Sequence, residues 1–204
     1  MPIHVALLRA INVGGAGMLA MADLRAICEG LGFSDVKTYI QSGNVLFRSD
    51  LPAPEAAAKL DAALGEKLGK APGVMIRDAR QLQAIAENAP FPDAKSNLLH
   101  VVFLPDAAPA DALDRLVAPD GEEVQVAGHE IYVHYPDGSG RSKLKLPALK
   151  PGTARNLNTV RKLAELAQAM EEGYSVLCAS NMTRKGRCST LEVVHNFLLQ
   201  SKPI

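Results

Sequence analysis

The feature that most constrains the fold is a three-residue link between two strand-like segments. The segments Val36–Gln41 and Val45–Arg48 are rich in β-branched and aromatic residues, and only Ser42, Gly43 and Asn44 separate them. A crossover between parallel strands needs a dozen or more residues, so this link forces the two strands to pair antiparallel. The first part of the chain therefore does not form a parallel doubly wound sheet.

The segments on either side of this hairpin complete a recognisable order of elements. Ile3–Leu8 is a short apolar run typical of a buried strand, and a helical pattern of apolar residues begins at Asp23. Pro52 opens a second helical pattern, and Val74–Arg77 predicts a closing strand. The order β-α-β-β-α-β is that of a ferredoxin-like unit.

The same order is predicted to recur after a connecting helix that Asp78 can cap. The predicted elements are strand Leu98–Leu104, helix Ala110–Val117, strands Glu122–Ala127 and Glu130–Tyr135, helix Asn158–Met170 and a candidate closing strand at Tyr174–Ala179. We therefore predict an α+β fold of two tandem ferredoxin-like βαββαβ units with antiparallel sheets. Residues 1–90 form the first unit with its connecting helix, residues 91–172 form the second, and residues 173–204 are a C-terminal extension.

Charge is unevenly distributed along a chain whose formal net charge is zero. Residues 1–140 carry a net charge of −7, whereas residues 141–162 carry +7 and contain no acidic residue. A local positive block on a negative body indicates an anionic partner, with a solvated, flexible face as the alternative. The block ends in short polar residues before a predicted helix, and free N–H groups in a first helical turn favour an anion.

Cysteine and histidine usage argues against two other classes of protein. The three cysteines are odd in number and lack CxxC spacing, which disfavours a disulfide scaffold and a zinc site. Cys28 falls on an apolar helix face and is predicted to be a buried thiol. We predict no metal site and no cofactor.

No apolar run approaches the ~18 residues of a membrane span, so we expect a cytoplasmic protein with no membrane partner.

For two short motifs we prefer a structural interpretation to a catalytic or cofactor-binding one. Gly15–Ala20 matches the outline of a dinucleotide fingerprint, but that mechanism requires a parallel βαβ unit, so we interpret these glycines as a flexible loop. Ser142–Lys145 matches SxxK, but the partner motifs of acylating enzymes are missing and we interpret Ser142 as a helix cap.

Four segments resemble one bacterial family, catalogued as domain of unknown function 1697. They are Leu8–Gly15, Met21–Leu24, Thr38–Val45 and Thr153–Val160, and the resemblance extends to about Met170. It implies a small cytosolic α+β protein with ferredoxin-like halves and implies no activity. The family commonly has threonine where Ala154 stands and tryptophan where Leu157 stands, so this chain lacks an indole that could stack on a nucleobase.

Polar and cationic residues of these segments and of the basic block form the predicted site. They are Arg9, Asn12, Gln41, Ser42, Asn44, Lys143, Thr153, Arg155, Asn156, Asn158 and Thr159. We expect them to meet in space and to bind a phosphorylated small molecule, a nucleotide or a nucleic-acid backbone.

Three alternatives stay open at this point. One is an enzyme that acts on a phosphate-bearing substrate, with Arg9 and Arg155 as electrostatic clamps. Another is a protein-interaction module that uses its sheet edges. The third is a purely structural role, in which Asn12, Asn44 and Asn158 are turn and cap residues and Arg9 pairs with an acid.

Overall fold

A computed structural model of the chain describes residues 1–12 and 19–184, with side chains up to residue 173. The chain divides into two compact units, Met1–Ala169 and Met170–Ile204, and both sheets lie in the first. The predicted loop glycines Gly14, Gly15 and Gly17 lie outside the described residues, as does the predicted extension beyond residue 184.

The first sheet contains four antiparallel strands in the spatial order β2-β3-β1-β4. The elements of this half are β1 (Ile3–Leu8), α1 (Met21–Gly30), β2 (Ser34–Tyr39), β3 (Asn44–Arg48), α2 (Ala53–Leu68) and β4 (Val74–Arg77), followed by α3 (Ala79–Glu87). This is the predicted β-α-β-β-α-β order, and the short link after β2 does form an antiparallel hairpin.

The second sheet has the spatial order β6-β7-β5-β8, again with antiparallel neighbours. Its elements are β5 (Leu99–Phe103), β6 (Glu123–Ala127), β7 (Glu130–His134), β8 (Thr153–Asn156) and α4 (Leu157–Arg184), with a 3-10 helix at Pro147–Leu149. Each of its strands occupies the position that its counterpart occupies in the first sheet. The predicted α+β class is confirmed, in the form of two four-stranded antiparallel sheets and four α-helices within the described residues.

Two predictions for the second half are wrong. The segment Ala110–Val117 forms successive turns instead of the predicted helix, because its backbone amides donate to carbonyls only three residues back. Its last residue, Val117, forms an isolated antiparallel β-bridge with Lys145. The segment Tyr174–Ala179 belongs to α4 and not to a closing strand.

The fourth strand of the second sheet comes before the last helix. β8 pairs with β5, its Thr153 and Arg155 are buried, and Ala154 is exposed. Its side chains alternate between more buried and more exposed positions, as in a half-buried strand. However, Thr153 and Asn156 are polar and Arg155 is cationic, so the hydrophobic pattern of the sequence did not indicate a strand here.

Helices α1 and α2 cover one face of the first sheet. Ala6, Leu8, Val45 and Phe47 of the sheet pack in one buried cluster with helix residues that include Leu24, Cys28, Leu60 and Leu64. Burial, with a smaller contribution from the neighbouring Glu29 carboxylate, raises the pKa of Cys28 to about 12. The predicted buried thiol is confirmed.

Side chains also connect the two sheets. Arg77 of β4 forms a salt bridge of 2.7 Å with Glu130 of β7, and its guanidinium carbon lies 5.6 Å from the centre of the Phe103 ring. The Tyr132 hydroxyl of β7 donates a hydrogen bond of 2.9 Å to the carbonyl of Ile85 in α3. None of the helices in the described residues has the length and apolar character needed to cross a membrane.

Candidate functional site

A pocket of about 400 Å³ opens where the end of β1, the β2–β3 turn and β8 come together. Its charged and hydroxyl-bearing lining residues are Arg9, Ser42, Lys150, Thr153 and Arg155. Leu8, Ala10, Ile11, Gly152 and Ala154 complete the lining. We call this the Arg9 pocket. Three of its lining residues are cationic, and none of those described is acidic.

Arg155 of β8 is the residue that joins the segment Thr153–Val160 to the segments Leu8–Gly15 and Thr38–Val45. Its side chain is buried, and Nε donates a hydrogen bond of 2.6 Å to Oδ1 of Asn44 on β3. The two terminal nitrogens donate to Thr153 Oγ1 (2.8 Å), Ala154 O (2.7 Å), Leu8 O (3.0 Å), Ser42 O (2.7 Å) and Gly43 O (3.3 Å). These bonds place the end of β1, the β2–β3 turn and β8 in direct contact.

All of these acceptors are neutral oxygens, so the charge of Arg155 has no ionic partner among the described residues. Burial lowers the pKa of Arg155 to about 10, which leaves the side chain protonated at neutral pH. Carbonyl groups satisfy its N–H donors but do not neutralise the charge, and a buried unneutralised charge is costly. The result is a fixed positive charge beside the Arg9 pocket.

Arg9 is half-buried and is held by backbone carbonyls rather than by an acid. Its Nε donates to Pro72 O and its Nη1 to Lys150 O, each at 3.0 Å. Within the described residues Nη2 donates no hydrogen bond. Among the described residues Arg9 pairs with no acid, unlike in the purely structural alternative, and one edge of its guanidinium stays available to a ligand.

Two asparagines of the predicted site have structural roles around the pocket. The Asn12 side chain bonds both backbone groups of Leu19, at 2.8 and 3.0 Å, and donates to Gln41 O at 2.9 Å. The Asn44 amide nitrogen donates to Tyr39 O and to Ser42 Oγ. These bonds hold in place the loops that line the pocket. They give Asn12 and Asn44 the turn-stabilising role of the purely structural alternative.

Five other predicted residues do not line the Arg9 pocket, namely Gln41, Lys143, Asn156, Asn158 and Thr159. Asn156 caps α4 through a bond of 2.9 Å from the Thr159 amide, so Asn156 rather than Asn158 is the cap residue. Asn158 is exposed. Lys143 lines a separate pocket that also contains Asp120 and Glu122.

The seven cations of the basic block do not share one pocket. Arg141 and Lys143 lie beside acidic residues in that separate pocket, and Lys162 forms a salt bridge of 2.8 Å with Glu165. Ser142 does not cap a helix, because its hydroxyl donates to Glu122 and accepts from the Leu144 amide. Only Lys150 and Arg155 of the block reach the Arg9 pocket. The predicted set omitted Lys150, whose one sequence signal is its place as the last cation before the segment Thr153–Val160.

Backbone strain is concentrated in the two loops beside the pocket. Five non-glycine residues of the described chain have positive φ, and three of them are Ala10 (51°), Asn12 (57°) and Ile40 (48°). A positive φ is unfavourable for a β-branched residue such as Ile40. Residues with strained backbones of this kind persist where the surrounding structure holds them in place. Here the bonds from Asn12, Asn44 and Arg155 hold both loops, which favours a functional interpretation of this site.

Comparisons with known proteins support the same fold. Residues 1–132 match the family described as Protein of unknown function (DUF1697). The structure is similar to that of the conserved bacterial protein SP0830 from Streptococcus pneumoniae, with a TM-score of 0.66 and 24% sequence identity over 81% of this chain and 98% of that chain. No curated protein matches this sequence. Because the family match covers more than half of the chain, the protein belongs to the DUF1697 family.

Proposed function

We propose that this protein binds a small phosphorylated molecule through its phosphate group in the Arg9 pocket. The observation that carries the proposal is the charge of the lining, which includes Arg9, Lys150 and Arg155 and no described acidic residue. Phosphate oxygens form strong charge-assisted hydrogen bonds with such donors.

The three cations have different parts in this proposal. Arg155 has no donor left for a ligand, so it supplies a fixed positive charge and holds the walls of the pocket. Arg9 offers Nη2, and Lys150 is exposed and offers its ammonium group. A preorganised charge of this kind attracts an anion without reorganisation when the ligand arrives.

Two further observations narrow the ligand and the activity. A volume of about 400 Å³ suits a small molecule, and the dispersal of the basic block supports a small anion over a nucleic-acid backbone. The described lining contains no histidine, cysteine, aspartate or glutamate that would serve as a general base. We therefore propose binding rather than turnover.

We also interpret the two sheets as a pair of ferredoxin-like units. The support is that both have the same spatial order of strands, although turns replace the helix between the first two strands of the second sheet. In this interpretation β8 corresponds to β4, and the pocket lies where β8 approaches the end of β1.

Isothermal titration of phenyl phosphate into the wild type, Arg9→Met and Lys150→Met tests the proposal. We expect either substitution to weaken binding by roughly tenfold or more, because each removes a charge-assisted hydrogen bond worth about 1.5–3 kcal/mol. Arg80→Met is the matched control, since Arg80 is exposed on α3 and does not line the pocket. Wild-type affinity in Arg9→Met, or no binding by the wild type, would contradict the proposed function.

A further inference from the structure

The two arginines of the Arg9 pocket engage several of its hydrogen-bond acceptors. Arg155 donates hydrogen bonds to the carbonyls of Leu8 and Ser42 and to the hydroxyl oxygen of Thr153. Arg9 donates a hydrogen bond to the carbonyl of Lys150. The two arginines thus engage four acceptors that a ligand O–H group could otherwise use.

The donors around the pocket are, in contrast, largely uncommitted. Within the described part of the chain, no hydrogen bond is donated by Nη2 of Arg9, by the ammonium of Lys150 or by the backbone amides of Ala10, Ile11 and Ser42. The pocket therefore presents donors and positive charge to a ligand, and four of its accepting oxygens are engaged.

From this excess of donors and positive charge we infer that the pocket selects a fully deprotonated tetrahedral oxyanion over the protonated form of the same group. The inference rests on the proposed function and specifies which charge state of the ligand is bound. A phosphate monoester dianion has three accepting oxygens and no donor, whereas its monoanion has one negative charge less and carries an O–H donor in place of one acceptor. A sulfate monoester has only acceptors at any pH near neutrality, so it shares the required chemistry.

The charged groups that face this ligand are Arg9 after β1, Lys150 before β8 and Arg155 on β8. Burial lowers the pKa of Arg155 only to about 10, so it keeps its charge near neutral pH. The described lining contributes no histidine and no carboxylate from any element. The ligand's own second pKa, about 6 for a phosphate monoester, therefore governs the pH dependence.

Titrations of phenyl phosphate and phenyl sulfate into the full chain at about pH 8 and about pH 5 test the inference. Only about one tenth of a phosphate monoester is dianionic one unit below its second pKa, so its affinity should fall roughly tenfold while that of phenyl sulfate stays within about twofold. Phenyl sulfate controls for any effect of pH on the protein. If phenyl phosphate is the tighter ligand at about pH 8, the natural ligand is a phosphate ester, and if phenyl sulfate is equal or tighter, it is a sulfate ester.

The outcomes separate this inference from the proposed function. Equal affinity for phenyl phosphate at both pH values would overturn the inference, because the protonated monoester would then be bound as well, and would leave the proposed function standing. Binding of neither compound at either pH would overturn both.

Discussion

At the scale of single residues, Arg155 has the most consequential side chain in the described structure. It is buried and donates to neutral oxygens of β1, of the β2–β3 turn and of Asn44. Lysine would retain the charge but could not reproduce the planar fork that reaches these acceptors at the same time. Shape and hydrogen bonding, as well as charge, explain why an arginine stands here.

We predict that Arg155→Lys lowers the free energy of unfolding by about 3 kcal/mol, because several buried carbonyl groups lose their donors. Chemical denaturation of the purified variant measures the loss. Arg80→Met, which changes an exposed arginine, should stay within about 0.5 kcal/mol of the wild type. An Arg155→Lys variant as stable as the wild type would show that these hydrogen bonds do not hold the loops together.

Gly43 occupies a position where both backbone conformation and space require glycine. Its φ is 74°, and a Cβ placed there would lie 2.9 Å from Leu8 Cβ. Gly138 has a similar φ of 87° but open space around it, so it is a matched control for strain without a clash. We predict that Gly43→Ala costs about 1–3 kcal/mol more in unfolding free energy than Gly138→Ala, as measured by denaturant titration. Equal losses would mean that the β2–β3 turn can move away from β1.

At the scale of elements, local sequence signals were sufficient wherever a helix or strand has its own pattern. Asp78 accepts from the Gln81 amide and Gln81 reciprocates, so the predicted cap of α3 is confirmed as a capping box. The segment Ala110–Val117 shows the limit, because its helix-forming residues have only one buried side chain, Ala112, to anchor them. β8 shows the converse, since pairing with β5 creates a strand from polar residues.

His100 on β5 gives this second sheet a pH dependence. Its ring contacts Tyr135 edge to face at 5.1 Å, and burial lowers its pKa below the ordinary value of 6.5. The unfolded chain therefore takes up a proton at a higher pH than the folded chain, so this contribution to stability is present above pH 6.5 and is lost as pH falls toward the folded pKa. We predict that the wild type loses more stability than His100→Phe between about pH 7.5 and about pH 5, in denaturation measured at each pH. Parallel losses in the two proteins would exclude this role for His100.

At the scale of the whole molecule, the pocket depends on contacts that no local pattern describes. Arg9 reaches a carbonyl 141 positions away, and Arg155 reaches one 147 positions away. The sequence indicated Arg9, Ser42, Thr153 and Arg155 as site residues because they stand in polar motifs, and these four do line one pocket. It did not separate Lys143 and Asn158 from them, because neither membership of a basic block nor a place in a polar motif defines which way a side chain points. The backbone carbonyls that engage both arginines have no sequence signal.

The measurement that tests the central claim most directly is a crystal structure of the protein with tungstate, a heavy tetrahedral oxyanion whose anomalous signal locates it without ambiguity. We predict one tungsten site in the Arg9 pocket, with oxyanion oxygens about 3 Å from Arg9 Nη2 and from the Lys150 ammonium. Arg155 should keep its bonds to Leu8 and Asn44, because it contributes charge and not donors. Tungstate bound only between Arg141 and Lys143, or an empty Arg9 pocket at saturating tungstate, would contradict the account.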